Sequence, residues 1–197
     1  MSGRVEPGEM IGVLGGGQLG AMFAVAARRL GYRVAVWDPD ADAPALKVAD
    51  LPLHAPFTDS TALATFAGSI SAATYEWENI PVALTDALEE RIPVRPATRI
   101  LRTLQNRLDQ KTFLADRGFP VAPFRSVLAP SDLVTAAETV GFPCLCKTAT
   151  AGYDGKGQWR LAGPAELQRV QGELQTQLDR QGQGKSQTAW VLERFLS

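Results

Sequence analysis

The stretch richest in residues that could do chemistry is KTATAGYDGKGQW, from Lys147 to Trp159. It follows an apolar run, GFPCLCK, which predicts a short buried strand that ends near Lys147. Glycines allow successive backbone N–H groups to turn toward an anion, and the two lysines add positive charge. The stretch lacks the Gly-Lys-Ser/Thr order of a Walker loop. From these residues alone, a phosphate-binding loop and a plain β-hairpin turn are equally favoured.

A second glycine-rich stretch lies near the N-terminus, in MIGVLGGGQLG at residues 10–20. Gly15, Gly17 and Gly20 fit G-x-G-x-x-G between a predicted strand and a predicted helix. A second strand, RVAVW, then leads to Asp38, where the dinucleotide-binding fingerprint expects a ribose ligand. This βαβ pattern raises one candidate function, an NAD(P)-dependent oxidoreductase.

Strand and helix patterns alternate over residues 10–95, and the later strands are LPLHA, AATYEWE and IPVRP. Such alternation predicts an α/β fold with a parallel, doubly wound sheet. Ligands of these sheets bind beyond the carboxyl ends of the strands. We therefore expect Gly15–Leu19 and Glu76–Asn79 to lie on the same sheet edge.

A separate prediction concerns two aromatic side chains. We expect Trp77 and Trp159 to be core aromatics.

The pattern changes after residue 96. One long polar helix is predicted from Ala97 to Gly118, followed by a mixed region with antiparallel character. Cys144 and Cys146 lie two residues apart on one predicted strand, which favours two core thiols over a redox pair. The predicted organisation is a Rossmann-like domain at 1–100, a connecting helix at 101–120 and a further α+β region at 121–197.

Composition excludes several classes of protein. The 197 residues include 20 basic and 21 acidic side chains, for a net charge of -1. No basic run suggests nucleic-acid binding, and no apolar stretch approaches the length of a membrane span. A single histidine, His54, argues against a zinc site built from Cys and His. A cytoplasmic protein without nucleic-acid or membrane partners is the expectation.

Together with TYEWENIP and NRLDQK, the two glycine-rich loops resemble one family. This family is the N5-carboxyaminoimidazole ribonucleotide synthases, which are ATP-grasp ligases of purine biosynthesis. The resemblance runs from Ile11 to Leu196, and its most specific element is AGYDGKGQW. It implies a Rossmann-like (pre-ATP-grasp) parallel sheet domain followed by the first α+β lobe of an ATP-grasp domain.

The resemblance also implies roles for individual residues. In the family, the arginine of the NRL-x-x-K element and the lysine that ends the strand before the glycine loop contact ATP phosphates, the loop folds over them, and a later strand binds adenine. The implied ATP-binding residues are Arg107, Lys147, Gly152, Tyr153, Asp154, Gly155, Lys156, Gly157, Gln158, Glu193, Arg194, Phe195 and Leu196. The implied substrate-binding residues are Gln18, Glu76, Asn79, Tyr153 and Lys156. No catalytic residue is assigned.

The implied reaction uses ATP to phosphorylate bicarbonate, after which carboxyphosphate or its CO2 meets the exocyclic amine of 5-aminoimidazole ribonucleotide. The products are N5-carboxyaminoimidazole ribonucleotide, ADP and phosphate. Family members continue with a second ATP-grasp lobe, which carries the acidic Mg2+ ligands, and they form homodimers when full length. This chain stops at Ser197, so we interpret it as the N-terminal part, with no metal ligands in this chain.

Two alternatives remain open at this point. The oxidoreductase hypothesis accounts for Asp38 but leaves AGYDGKGQW unexplained. A non-catalytic nucleotide-binding module would fit a chain without the second lobe. Calorimetric titration with ATP, NADH and 5-aminoimidazole ribonucleotide separates the three readings.

A polypeptide of these 197 residues alone is expected to catalyse no carboxylation and to bind ATP weakly or not at all. Phosphate transfer needs metal that bridges the terminal phosphates, and the implied ligands lie in the second lobe. The measurement is ATP hydrolysis that depends on bicarbonate and 5-aminoimidazole ribonucleotide, in this chain and in a full-length counterpart. Comparable turnover by the two would contradict this expectation.

Overall fold

The computed structural model describes residues 4–150, 157–181 and 190–196. The chain divides into two compact units, Met1–Arg102 and Thr103–Ser197. Within the described ranges, no helix combines the length and the apolar character needed to cross a membrane.

The first unit is built on a four-stranded parallel sheet with the order β3-β2-β1-β4. Its strands are β1 (Met10–Leu14), β2 (Arg33–Asp38), β3 (Leu51–His54) and β4 (Ala72–Tyr75). Its helices are α1 (Gln18–Arg29), α2 (Ser60–Ser69) and α3 (Val82–Glu89), with a short 3-10 helix at Pro44–Lys47. The predicted parallel α/β sheet is confirmed.

Both faces of the central strands are buried, which explains why MIGVL and RVAVW are nearly continuous apolar runs. On one face, Val13, Val34 and Val36 pack against alanines of α1. On the other face, Trp37 packs against Phe66 of α2, with ring centroids 5.6 Å apart.

The predicted fifth strand, IPVRP, is reduced to one bridge between Ala73 and Val94. Ala73 N–H donates to Pro93 O at 2.9 Å, and Arg95 N–H donates to Ala73 O at 2.8 Å. Pro93 and Pro96 flank this bridge and have no N–H to extend a ladder. The prediction of a full strand was wrong for that reason.

The single helix predicted from Ala97 to Gly118 is instead two helices, α4 (Thr98–Gln105) and α5 (Arg107–Ala115). Asn106 lies between them with extended backbone, at φ -115° and ψ 118°. Its side chain caps α5, because Oδ1 accepts a hydrogen bond from Leu108 N–H at 2.9 Å. The boundary between the two compact units falls within α4, after Arg102.

The second unit contains a four-stranded antiparallel sheet with the order β5-β8-β6-β7. Its strands are β5 (Phe124–Val127), β6 (Cys144–Thr148), β7 (Gln158–Leu161) and β8 (Trp190–Arg194). Two further helices, α6 (Leu133–Val140) and α7 (Leu167–Gln181), contribute to its core together with β6, β7 and β8. The expected antiparallel character is confirmed.

Cys144 and Cys146 are both buried and unpaired, and they point into this core. Burial raises the pKa of the Cys146 thiol to about 12. A thiol with this pKa stays protonated near neutral pH and is a poor nucleophile. The interpretation of the two cysteines as core residues is therefore confirmed.

Gly12, in the middle of β1, gives the first test of this packing. A Cβ at Gly12 would lie 2.4 Å from Ile70 Cδ1 and 2.6 Å from Phe66 Cζ. Both side chains are buried, so Gly12→Ala should lower the free energy of unfolding by ~1–3 kcal/mol through overpacking. The matched control is Gly68→Ala on α2, where nothing lies within 4 Å of the new Cβ.

The control should raise the free energy of unfolding by up to about 1 kcal/mol, because alanine favours helix over glycine. Urea denaturation of both variants measures the two changes. Equal effects of the same sign would show that the close approach at Gly12 does not limit packing.

Candidate functional site

A cleft of about 540 Å³ in the second unit contains most of the predicted ATP-binding residues that the structure describes. It is bounded by α5, the segment at 120–122, β6 and the end of β8. Its lining residues are Arg107, Gln110, Lys111, Leu114, Pro120, Val121, Ala122, Leu145, Lys147, Glu193, Arg194, Phe195 and Leu196. The cleft thus combines an apolar wall with a cluster of charged side chains.

Strand alternation places Lys147 in the cleft. Side chains of a strand point alternately to opposite faces. Cys144 and Cys146 face the core, whereas Leu145 and Lys147 line the cleft. β8 lies beside β6 with Leu145 opposite Glu193. The pattern C-L-C-K therefore separates a buried face from a binding face.

Glu193 is the electrostatic centre of the cleft, although it is only 7% exposed. Lys111 Nζ lies 2.5 Å from its Oε2, and Lys147 Nζ forms an ion pair with its Oε1. Burial acts to raise the pKa of Glu193, but hydrogen bonds and charge from Lys111 and Lys147 outweigh burial and hold that pKa below its ordinary value. Glu193 is therefore ionised near neutral pH.

Arg107 is anchored at the end of β6. Its backbone N–H donates to Ala149 O at 2.8 Å, and its Nε–H donates to Thr148 O at 3.1 Å. Arg107 begins α5 directly after the cap at Asn106. The break between α4 and α5 thus brings the first turn of α5 to the start of the glycine-rich loop.

The glycine-rich loop connects two antiparallel neighbours, since β6 pairs with β7. Gly152, Tyr153, Asp154, Gly155 and Lys156 lie outside the described residues. Gly157 O accepts a hydrogen bond from Thr148 N–H at 2.9 Å, and Gly157 adopts φ +70°. A Cβ at Gly157 would lie 2.8 Å from Thr148 Cγ2. Gln158 follows as the exposed first residue of β7.

The segment predicted to bind adenine forms one end of the cleft. Arg194 donates through Nη1 to Val140 O at 3.1 Å. Phe195 N–H donates to Pro143 O at 3.0 Å, and the Arg160 guanidinium lies 4.5 Å from the Phe195 ring centroid. Leu196 is largely exposed. Arg194, Phe195 and Leu196 all line the cleft, as does Glu193.

Three of the five predicted substrate residues, Gln18, Glu76 and Asn79, lie in the first unit at the carboxyl ends of β1 and β4, whereas Tyr153 and Lys156 lie outside the described residues. Glu76 N–H donates to Leu14 O at 3.1 Å, and Gly17 N–H donates to Glu76 Oε1 at 3.0 Å. Gln18 is the exposed first residue of α1, and Asn79 lies in the turn after β4. The expectation that the two segments share a sheet edge is confirmed.

Two positions in the glycine-rich turn after β1 require glycine, because the Glu76 side chain approaches the backbone closely there. Gly15 adopts φ +94°, and a Cβ there would meet the Glu76 side chain at 3.1 Å. At Gly17 a Cβ would lie 2.6 Å from Glu76 Oε1.

The two tryptophans predicted to be core aromatics differ in burial. Trp77, next to Glu76 in the sequence, is 49% exposed, so its prediction as a core aromatic was wrong. Trp159 is partly buried and packs against the core of the second unit.

Asp38 supports the glycine loop directly. Its Oδ2 accepts from Gly16 N–H at 2.5 Å, and its Oδ1 accepts from Asp40 N–H at 2.7 Å. The oxidoreductase hypothesis needed Asp38 as a ribose ligand, yet both oxygens hold the backbone of the loop and of the turn after β2. This arrangement disfavours that alternative.

Lys111 is the residue that sequence reasoning missed. It belongs to the quoted element NRLDQK, but only Arg107 was given a role there. The available signal was helical spacing, because Arg107 and Lys111 are four residues apart and lie on one face of α5. Its partner Glu193 is too distant in sequence for any local pattern to indicate the pairing.

Comparison with known proteins assigns the class. A model of the ribonucleotide synthetase preATP-grasp domain matches residues 9–105, and a model of the ATP-grasp domain matches residues 112–196. The chain thus belongs to the ATP-grasp ligases. It is 42% identical over 164 residues to N5-carboxyaminoimidazole ribonucleotide synthase from Brucella melitensis, covering 83% of this chain and 45% of that protein. Within the class, this chain is a member of the N5-carboxyaminoimidazole ribonucleotide synthase family.

Solved structures agree with this assignment. The Staphylococcus aureus N5-carboxyaminoimidazole synthetase complexed with ADP matches with a TM-score of 0.87 and 35% identity, over 98% of this chain and 49% of that one. The Aspergillus clavatus enzyme, in complex with ADP and 5-aminoimidazole ribonucleotide, matches with a TM-score of 0.78 and 25% identity, over 95% of this chain and 46% of that one. The chain spans about half the length of these relatives.

The lowered pKa of Glu193 predicts how stability depends on pH. Because the folded pKa is depressed, the carboxylate stabilises the folded state above its ordinary pKa of 4.5, and this contribution is lost as the pH falls through the folded pKa. The difference in unfolding free energy between wild type and Glu193→Gln should therefore be largest near neutral pH and shrink in acid.

Chemical denaturation between about pH 3 and pH 7 measures this difference. Glu138→Gln, at an exposed position on α6, controls for the loss of one carboxylate. A difference for Glu193→Gln that does not change over this range would contradict the assignment of an ionised, lysine-paired carboxylate.

Proposed function

We propose that this protein takes part in the ATP-dependent carboxylation of 5-aminoimidazole ribonucleotide with bicarbonate. The products would be N5-carboxyaminoimidazole ribonucleotide, ADP and phosphate. The observation that carries the proposal is the cationic cleft of the ATP-grasp region, where Lys111 and Lys147 pair with the buried carboxylate of Glu193 and Arg107 lines the same cleft. Relatives that match this chain were solved with ADP.

The cleft suits a nucleotide in both chemistry and shape. Arg107 and Lys147 supply charge for phosphate oxygens at the end of β6, next to the start of the glycine-rich loop. The apolar residues Leu114, Val121 and Leu145 line the cleft and offer a surface for a flat base. Arg107, Lys147 and Glu193–Leu196 are the described residues that we assign to ATP, and Gly152–Gln158 belong to the same proposal from the resemblance.

The glycine loop of the first unit is the proposed site for the ribonucleotide. Glu76 combines a fixed position, set by its bonds to Leu14 and Gly17, with a carboxylate that could accept hydrogen bonds from an amine. Gln18 and Asn79 border the same sheet edge. The Aspergillus clavatus relative was solved with ADP and 5-aminoimidazole ribonucleotide, which supports this choice of substrate.

The proposed chemistry has two steps. A bicarbonate oxygen attacks the γ-phosphorus of ATP, the bond to the bridging oxygen breaks, and ADP leaves. The exocyclic amine then forms a C–N bond with the carboxyl carbon of carboxyphosphate or of the CO2 that it releases, with loss of phosphate and of one amine proton. Carboxyphosphate hydrolyses readily, so a closed cleft that excludes water is essential.

Mg2+ belongs to the proposal only because the resemblance to the family implies it. Within the described ranges, no group of three or more His, Cys, Asp or Glu side chains is arranged to hold a metal ion. Glu193 does not fit that role, because a lysine occupies each of its oxygens. We therefore assign no metal-binding role to these residues. Bicarbonate as co-substrate, a cytoplasmic location and a full-length homodimer are likewise proposed from the resemblance.

Paired variants in a full-length counterpart test the proposal. Glu76→Gln should raise KM for 5-aminoimidazole ribonucleotide by about tenfold or more, while KM for ATP changes little. Lys147→Met should show the reverse pattern. The assay follows ADP release that depends on both ribonucleotide and bicarbonate. If both variants alter the same KM, the assignment of the two units to two different substrates is wrong.

A further inference from the structure

The pairing of Glu193 raises a question about how a nucleotide could bind. Lys147 is an implied phosphate ligand, yet it already forms an ion pair with Glu193 Oε1. The Lys147 side chain is only 21% exposed and that of Glu193 only 9%. A phosphate that binds Lys147 must therefore compete with a buried carboxylate for the same ammonium group.

If Lys147 were the only partner of Glu193, this competition would be costly. Movement of the ammonium toward phosphate would leave the carboxylate buried without a counter-ion, and would place it near a polyanion. Removing one partner of a buried ion pair is strongly destabilising, because the remaining charge is left buried and uncompensated. This cost would make the binding free energy of the nucleotide less favourable and so raise its Kd.

Lys111 approaches Glu193 in a way that is independent of Lys147. It comes from α5 instead of β6, and its Nζ lies 2.5 Å from the other carboxylate oxygen, Oε2. The same Nζ lies 5.6 Å from the ring centroid of Phe124, on β5. The Lys111 ammonium is thus held between a carboxylate and an aromatic face, and its side chain is 19% exposed.

We propose that Lys111 is a positioning residue: it stays with Glu193 as a permanent counter-ion and so frees Lys147 to pass to a nucleotide phosphate. The inference rests on the proposed ATP site and adds a mechanism to it. Arg107 and Arg194 also line the cleft, but each is anchored to backbone carbonyl oxygens, at Thr148 and Val140 respectively. Among the residues that the structure describes, Lys111 and Lys147 are the two lysines that pair with Glu193.

A purely structural role for Lys111 makes a different prediction. A salt bridge that only joined α5 to β8 would affect the free energy of unfolding, and its loss would leave the Kd for ADP of the folded protein unchanged. The proposed role predicts a raised Kd and predicts that neutralising Glu193 removes this effect, because a neutral residue at 193 needs no counter-ion when Lys147 turns to phosphate. The discriminating variant is therefore the double substitution Lys111→Met with Glu193→Gln.

The first experiment measures the Kd for ADP by calorimetry on the folded full-length counterpart. Lys111→Met should raise Kd by about tenfold or more, and Lys111→Arg should stay within about threefold of wild type. Because Glu193 itself lines the nucleotide site, the double variant is compared with Glu193→Gln alone, and the Kd values of these two should agree within about threefold. Lys47→Met, at an exposed lysine of the first unit, controls for the loss of one positive charge.

The inference is overturned if Lys111→Met leaves the Kd for ADP unchanged, or if it raises the Kd as much in the Glu193→Gln background as in the wild-type background. A full-length wild-type counterpart that binds no ADP at all would instead contradict the proposed nucleotide site. The two failures are therefore distinguishable.

The second experiment needs no nucleotide. In Lys147→Met, which mimics departure of the Lys147 ammonium, the pKa of Glu193 should remain below its ordinary value of 4.5, because Lys111 still pairs with it. Carbon-detected NMR titration of the Glu193 carboxylate measures this pKa. A value above 4.5 in this single variant would show that Lys111 cannot hold the carboxylate alone, and would overturn the inference.

Discussion

The second unit depends on one buried carboxylate shared by two lysines. Glu193 on β8 joins Lys147 of β6 to Lys111 of α5, and it is nearly inaccessible to water. Leaving any of these charges unpaired would be costly at this depth, so the three elements must meet in this arrangement. The apolar wall and the anchored Arg107 then complete a cleft whose excess positive charge suits a polyanion.

A carboxylate organises the first unit in a comparable way. Glu76 accepts the N–H of Gly17 and donates its own N–H to Leu14, so the glycine turn after β1 is tied to the end of β4. Asp38 supports the same turn from β2 through Gly16. Each of these bonds links neighbouring parallel strands, whose carboxyl ends coincide at one edge. Backbone N–H groups of the turn are thus held by carboxylates from both sides.

Family membership and local structure support each other here. The domain models divide the chain at 105 and 112, and the structure divides it after Arg102, within α4. Asn106 ends one helical segment and caps the next, which places Arg107 at the start of α5 beside Thr148 and Ala149. A polar side chain that competes with the helical backbone thus sets where α5 begins and where Arg107 lies within the second unit.

The sequence by itself determined what depends on short-range pattern. Alternation in C-L-C-K identified a buried face with two core thiols, and the alternating strands and helices identified the parallel sheet. The glycine motifs together with TYEWENIP and NRLDQK were sufficient to indicate the family. These features are readable because strand and helix periods, and the steric freedom of glycine, act over a few residues.

Tertiary structure alone decided the features that need a distant partner. Nothing near Lys111 in the sequence indicates Glu193, and nothing near Trp77 indicates that its indole would remain half exposed. The fifth strand failed because its prolines leave only one bridge to Ala73. The long helix broke at Asn106, where the next N–H, that of Arg107, donates to the distant Ala149 O. In each case the outcome depends on which partner a side chain or backbone group finds in the folded protein. That partner belongs to an element far away in the chain, so no local pattern indicates it.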